Sequence, residues 1–145
     1  MMCRNICLLG MGIAGLCLLP SPMFSQSCSN ASLQGGYGFS FHGTNLEMKL
    51  DFIMVGAFEA DGKGAFKGTE SQSVSGKVSR GPFTGSYTVQ PDCTGSAVLK
   101  FEGSNFDAKL DFALVADGDE LLILDVGGGN LESGEAKREF RKGRK

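Results

Sequence analysis

The sequence contains no tryptophan, one histidine and four prolines among its 145 residues. The histidine, His42, has no Ser, Cys or acid nearby in the order that a nucleophilic triad requires, so we interpret it as a surface residue. No CxxC pair or Cys/His cluster occurs, and the Gly-rich and Asp-rich turns lack the ligand spacing of phosphate or calcium loops. The sequence therefore predicts neither a metal nor a cofactor, and it contains no motif of established chemistry.

A long hydrophobic run is also missing, because the apolar stretch at residues 6–19 is shorter than the roughly 20 residues that span a bilayer. Arg4 precedes this stretch, and Ser25 and Ser27 supply small residues before Cys28. This arrangement predicts a secretory signal peptide over residues 1–27 and a secreted or periplasmic location. A buried N-terminal helix, a retained anchor and a lipidated Cys28 are the alternatives.

Cleavage would leave only two cysteines, Cys28 and Cys93, because Cys3, Cys7 and Cys17 lie in the predicted signal peptide. Two cysteines in an exported domain are expected to form a disulfide. In the chain-entropy description, closing the 65-residue loop between them would stabilise the fold by about 4 kcal/mol. A pair of free or metal-binding thiols is the alternative.

Charge is distributed unevenly along the chain. The last nine residues, KREFRKGRK, contain six basic groups and one acid. A polybasic arm for anionic lipid or nucleic acid is one interpretation of this segment. Because no aromatic stacking platform accompanies it, we interpret residues 141–145 as a disordered, solvated tail and expect no nucleic-acid partner.

Glycine is abundant, with 22 residues, and no helical period of useful length follows Cys28. Segments of alternating polarity between turn-forming residues, such as Arg80-Gly81-Pro82, predict an all-β fold with eight strands. These lie at residues 35–43, 48–60, 64–74, 82–90, 95–102, 106–116, 120–126 and 133–140. Eight strands also close a barrel around a filled interior or one small ligand. We predict a single eight-stranded antiparallel β-barrel over residues 28–140, and a two-sheet sandwich is the alternative.

One stretch occurs twice, as NLEMKLDFIMVG at residues 45–56 and as NFDAKLDFALVA at residues 105–116. Alternation places the phenylalanine of each KLDF inside the barrel and the aspartates, Asp51 and Asp111, on the outer, wetter face. Two carboxylates can divide acid and base work when their environments differ. We nevertheless interpret this pair as surface residues beside lysines.

The inward positions predict a largely aromatic ligand site made of Tyr37, Phe39, Phe52, Met54, Phe66, Tyr87, Phe101 and Phe112. Two polar residues, Glu70 and Gln72, are predicted on the same inner face. A carboxylate inside an aromatic barrel must be paired, neutral, or in contact with solvent or ligand. Arg138 on the last strand is the expected partner of Glu70. Alternatively, Glu70 anchors a ligand or acts as a general acid or base, which makes it the candidate catalytic residue.

Four segments occur in the order CSNASLQGGYGFSFHG, VGAFEADGKGAFKGTE, FTGSYTVQPDCTGSAVL and LDFALVADGDELL. Over nearly all of residues 28–140 the chain resembles the bacterial secreted proteins grouped as allene oxide cyclase barrel-like. The resemblance implies an eight-stranded barrel of calycin type and little about activity. Plant allene oxide cyclases close a fatty-acid epoxide with a buried Glu, and Glu70 is its analogue by placement only. FTGSYT also resembles an avidin strand, but biotin pockets of that type need tryptophans.

Three functions remain open at this level. The first is a binding module for a small apolar ligand, and we prefer it to an enzymatic role. The second is an isomerase or cyclase of the allene oxide cyclase type, acting on a lipid-derived substrate through Glu70. The third is a structural barrel with a filled core, whose outer residues Ile53, Val55 and Ala113 form a partner surface. The sequence specifies neither the ligand nor an oligomeric state.

Overall fold

The computed structural model describes residues 27–139, which form a closed barrel of eight antiparallel strands. Each strand pairs with the next along the chain, and the last pairs with the first to close the ring. The predicted all-β class and the predicted barrel are confirmed, and the two-sheet sandwich is excluded. The strands are β1 (Gln34–Asn45), β2 (Leu50–Asp61), β3 (Ala65–Val74), β4 (Lys77–Val89), β5 (Thr94–Phe101), β6 (Asp107–Val115), β7 (Glu120–Asp125) and β8 (Asn130–Arg138).

Strand β4 begins at Lys77 rather than at residue 82, where the sequence predicted it. A two-residue turn of Ser75 and Gly76 joins β4 to β3, and both residues have positive φ angles, 46° and 85°. Paired positive φ angles are typical of the type I′ turn, whose twist matches that of the flanking strands. The predicted turn at Arg80-Gly81-Pro82 is therefore wrong, and this segment continues the barrel wall.

The side chains of each strand alternate between a buried inner face and an exposed outer face. In both copies of the KLDF repeat the phenylalanine points inward, since Phe112 is buried and Phe52 is half-buried. Asp51 and Asp111 are exposed on the outer face, as predicted. The repeat occupies β2 and β6, which are four strands apart in a ring of eight, so it marks two opposite walls.

Several glycines lie on the inner wall, and phenylalanine rings from neighbouring strands lie against five of them. A β-carbon built on any of the five would lie 2.2–2.8 Å from a ring carbon, well inside van der Waals contact. The rings therefore lie along the wall, in the space that glycine leaves free because it has no side chain, and they do not converge on the barrel axis. The pairs are Phe39 with Gly56, Phe41 with Gly134, Phe66 with Gly85, Phe83 with Gly68, and Phe112 with Gly95.

One end of the barrel is closed by two short 3₁₀ turns, Asn30–Ser32 before β1 and Ala116–Gly118 between β6 and β7. The hydroxyl of Tyr87 donates a hydrogen bond of 2.7 Å to the carbonyl of Leu33, directly after the first turn. The hydroxyl of Tyr37 donates one of 2.6 Å to the carbonyl of the last residue of the second turn. Both turns are thus anchored to inward-facing tyrosines.

The predicted disulfide is confirmed. Cys28 and Cys93 are bonded with their α-carbons 4.9 Å apart, a normal span for a disulfide, and they lie at the closed end. The predicted signal peptide, apart from Ser27, and the predicted basic tail at 141–145 lie outside the described residues. Within residues 27–139, no helix is long and apolar enough to cross a membrane.

Candidate functional site

The barrel encloses a cavity of about 1000 Å³ that opens at the end opposite the disulfide. Residues of the β1–β2, β5–β6 and β7–β8 loops line its mouth, and inward side chains of the strands line its depth. Small-molecule sites in proteins typically measure about 300–1000 Å³. The interior is therefore open on the scale of a ligand, and the alternative of a barrel with a filled core is wrong.

The cavity wall includes nine of the ten residues that the sequence predicted for a ligand site. These are Phe39, Phe52, Met54, Phe66, Glu70, Gln72, Tyr87, Phe101 and Phe112. The tenth, Tyr37, is fully buried and does not line the cavity. Its ring stacks on Phe58 with the centroids 5.2 Å apart, and its hydroxyl is bonded to the second 3₁₀ turn. Tyr37 therefore belongs to the closed end.

Glu70 lies in the middle of β3, lines the cavity and is 7% exposed. Its neighbours on the two adjacent strands are glycines, Gly56 on β2 and Gly81 on β4, so no side chain flanks it there. Its Oε2 atom is buried and has no hydrogen-bond partner among residues 27–139. Burial raises the pKa of Glu70 above its ordinary value. The carboxyl group is thus biased towards its neutral form and left open to a guest.

The predicted ion pair between Glu70 and Arg138 is wrong. The Nε atom of Arg138 donates a hydrogen bond of 2.6 Å to the carboxylate of Asp119. Its other guanidinium donors bind the carbonyls of Gln34 and Gly118. Although Arg138 is on an inward position of β8, that position is at the closed end of the barrel, whereas Glu70 is in the middle of the wall.

Four cavity-lining acids were not identified from the sequence, and two of them lie on neighbouring strands, Asp125 at the end of β7 and Glu132 on β8. The last pair of the β7–β8 ladder joins Leu124 to Ser133, so Asp125 and Glu132 are the next neighbours towards the mouth. Asp125 is 8% exposed. Its Oδ1 accepts the backbone N–H of Gly127 at 2.8 Å. Its Oδ2 is buried and has no hydrogen-bond partner within the described part of the chain.

Glu132 was missed because β8 was predicted to begin at residue 133, whereas it begins at Asn130. Asn130 pairs with Asn45 at the end of β1, and the side chain of Asn45 donates a hydrogen bond of 2.9 Å to the side chain of Asn130. The inward period of two residues from Ala136 reaches Glu132, and this signal could have identified it. Burial, together with the neighbouring Asp125 carboxylate, raises the pKa of Glu132 from 4.5 to about 7.

The charged residues on the cavity wall are mostly acidic. Arg80, on the exposed part of β4, is the single basic residue among the described residues that line it. No three His, Cys, Asp or Glu side chains between residues 27 and 139 converge to hold a metal ion. The site can therefore enclose the apolar part of a molecule, and its acids can accept hydrogen bonds from a polar group of that molecule or exchange a proton with it. The five acids are Glu47, Glu70, Glu102, Asp125 and Glu132.

Exposed apolar side chains surround the mouth of the cavity. They come from the β1–β2, β5–β6 and β7–β8 loops and from the start of β8, and each is 46–69% exposed. Such a rim gives an apolar molecule a favourable surface next to the entrance. The rim residues are Leu46, Met48, Phe106, Val126 and Leu131.

The chain matches no protein-family model, and it matches no curated protein. Among solved structures it is similar to a de novo designed fluorescence-activating beta barrel, with a TM-score of 0.52 and 16% sequence identity. That match covers 74% of this chain and 94% of the designed one. A second similar structure is the S-type phycobiliprotein lyase CPES from Guillardia theta, with a TM-score of 0.49, 11% identity, and coverage of 83% and 100%. At these identities the likeness to the designed barrel concerns the fold alone.

Proposed function

We propose that this protein is an exported binding module that encloses a small, largely apolar molecule in its barrel. The observation that carries the proposal is the cavity of about 1000 Å³, open at one end and walled mainly by aromatic and aliphatic side chains. A cavity of this kind gains free energy when an apolar guest replaces the water inside it. The apolar rim at its mouth supports the same proposal.

Within this proposal the phenylalanines and Met54 contact the body of the guest, and Glu70 and Gln72 orient it. Gln72 is the next inward residue after Glu70 on β3 and also lines the cavity. Its amide can both donate and accept hydrogen bonds, whereas a neutral Glu70 donates one and accepts others. Two adjacent polar groups in an apolar wall favour one orientation of a guest over its reverse.

Export is part of the proposal. The disulfide between Cys28 and Cys93 is compatible with an oxidising compartment, where such bonds persist. The signal-like composition of residues 1–27 supports the same location. The intact mass of the protein released by its host tests this part: an N terminus other than Cys28, or two alkylatable thiols, would contradict it.

A second candidate function is acid–base catalysis on the guest, in which Glu70 would act as an analogue, by placement only, of the buried Glu of plant allene oxide cyclases. The buried carboxyl group of Glu70 favours it, because an unpaired acid with a raised pKa in an apolar cavity can transfer a proton. The test is turnover of a fatty-acid epoxide by the wild type and by Glu70→Gln. Turnover that survives this substitution rejects Glu70 as the proton-transfer group.

Titration with Nile red, a neutral fluorophore that brightens in apolar surroundings, tests binding. We expect saturable binding of one molecule per folded chain and its loss when the protein is unfolded in denaturant. A linear, non-saturating rise would contradict the proposal. Native mass spectrometry of protein purified from its own host then identifies the class of any molecule that co-purifies.

A further inference from the structure

The adjacent carboxyl groups of Asp125 and Glu132 are unusual in a cavity that is walled mainly by apolar side chains. Asp125 is more than nine-tenths buried, lines the cavity and has one oxygen, Oδ2, without a hydrogen-bond partner among residues 27–139. Glu132 lies beside it on the next strand. Neither acid makes an ion pair with any described residue. A buried carboxylate oxygen without a hydrogen-bond donor is costly, and a donor that arrives with a ligand reduces that cost.

The groups that face Glu132 from the adjacent strands offer it no positive charge. From β7 the facing group is Asp125. From β1 the facing residues are Gly43, which pairs with Glu132, and Asn45, both uncharged. A third acid, Glu47 of the β1–β2 loop, lies near this side of the mouth. Its Oε1 atom is 3.8 Å from the position that a β-carbon on Gly129 would occupy. The basic residue of the wall, Arg80, comes from β4, opposite β8 in the ring.

The aliphatic stem of Glu132 lies over Gly43, its neighbour on β1. A β-carbon at Gly43 would lie 2.5 Å from Cγ of Glu132, so the acid lies across a position that carries no side chain. The next residue of β2 in this row is Phe52, which lines the cavity and whose ring centroid is 6.2 Å from that of Phe41. Aromatic faces also attract cations. The two carboxyl groups and the ring of Phe52 therefore lie at a similar height along the barrel wall.

We propose that the ligand is an apolar molecule that carries a protonated amine, and that Asp125 and Glu132 bind the ammonium group while the hydrocarbon or aromatic body occupies the barrel. This inference rests on the proposed binding function and names the ligand class. A charge-assisted hydrogen bond from an ammonium donor satisfies the free Oδ2 of Asp125. Because the pKa of Glu132 is raised to about 7, its carboxyl group still holds a proton part of the time near neutral pH, and the bound cation displaces that proton.

Isothermal titration with three ligands that share one alkyl chain, decylamine, decanol and decanoate, tests this inference at about pH 8. We expect decylamine to bind at least about tenfold more tightly than decanol, and decanoate to bind most weakly. The affinity for decylamine should rise between about pH 5 and pH 7, while the affinity for decanol stays level. Equal affinities for the amine and the alcohol, or tightest binding of decanoate, would overturn the inference.

The variant Asp125→Asn/Glu132→Gln keeps the shape of both side chains and removes their charge. It should bind decylamine no more tightly than decanol, and Glu59→Gln, a control on the exposed outer face of β2, should preserve the wild-type ratio. Near-ultraviolet circular dichroism checks that each variant is folded. Saturable binding of Nile red without preference for the amine would reject the ligand class and leave the binding function intact. If neither Nile red nor any of the three alkyl ligands binds, both proposals fail.

Discussion

The ring of Phe66 on β3 lies against Gly85 on β4 so closely that a β-carbon at Gly85 would be 2.2 Å from Cζ of the ring. The same β-carbon would lie 2.5 Å from the carbonyl oxygen of Val98. Of these two neighbours only the ring can turn away, and it would turn into the cavity. Glycine at this position therefore determines how much of the interior stays empty.

Gly85→Ala tests this dependence. We expect it to destabilise the fold by about 2 kcal/mol or more, because the new methyl group overlaps both a ring and the backbone. The control is Gly38→Ala on β1, where a β-carbon has no neighbour within 4 Å. Gly38→Ala should be neutral or stabilising by about 0.5–1 kcal/mol. Equal chemical-denaturation midpoints for the two variants would contradict the account.

The disulfide should contribute much of the stability of this small barrel. Replacing both cysteines, as Cys28→Ser/Cys93→Ser, should lower the free energy of unfolding by up to about 4 kcal/mol, because the unfolded chain regains the freedom of a 65-residue loop. Denaturant titration with and without reductant measures the effect. Reductant should lower the midpoint of the wild type and leave that of the double variant unchanged. An unchanged wild-type midpoint under reduction would refute this contribution.

Stability should fall as pH rises towards neutrality. Glu132 has a pKa of about 7 in the folded protein and 4.5 ordinarily, so between these pH values the folded chain keeps a proton that the unfolded chain has released. The free energy of unfolding therefore decreases from about pH 4.5 to pH 7 and then levels off. Glu70, whose pKa burial also raises, acts in the same direction.

The variant Glu132→Gln should remove most of the decrease in the free energy of unfolding between pH 4.5 and pH 7, since its amide does not titrate. It should be more stable than the wild type by about 2 kcal/mol at pH 8, allowing for solvent screening, and nearly equal to it at pH 4. Thermal melts across this range provide the measurement, with Glu59→Gln on the exposed outer face of β2 as the control. If Glu132→Gln and the wild type keep parallel stability curves, Glu132 is not the group responsible.

Much of the fold could be predicted from the sequence because the residues of each strand alternate between an exposed and a buried face with a period of two. That period located all eight strands, as well as the outward position of Asp51 and Asp111. This period failed to predict the turn between β3 and β4, because the backbone conformation determines where that turn lies. Ser75-Gly76 forms the tight turn, while the more conspicuous Arg80-Gly81-Pro82 lies within a strand.

The candidate site was harder to predict than the fold. Glu70 and most of the lining phenylalanines were identified, because an inward position follows from alternation alone. The empty interior was not, since it depends on rings such as Phe66 lying beside glycines of the next strand, a relationship between distant residues. The pair of Asp125 and Glu132 depends on the β7–β8 register, which a shift in the predicted start of β8 concealed.

The most direct test of the central claim compares Nile red binding by two variants of β6, Ala108→Phe and Ala113→Phe. Ala108 is buried and lines the cavity, whereas Ala113 is on the opposite face of the same strand. If the open interior is the binding site, Ala108→Phe should weaken the dissociation constant at least about tenfold and keep the fold, while Ala113→Phe should bind like the wild type. Equal binding by both variants would show that Nile red lies outside the barrel and would contradict the account.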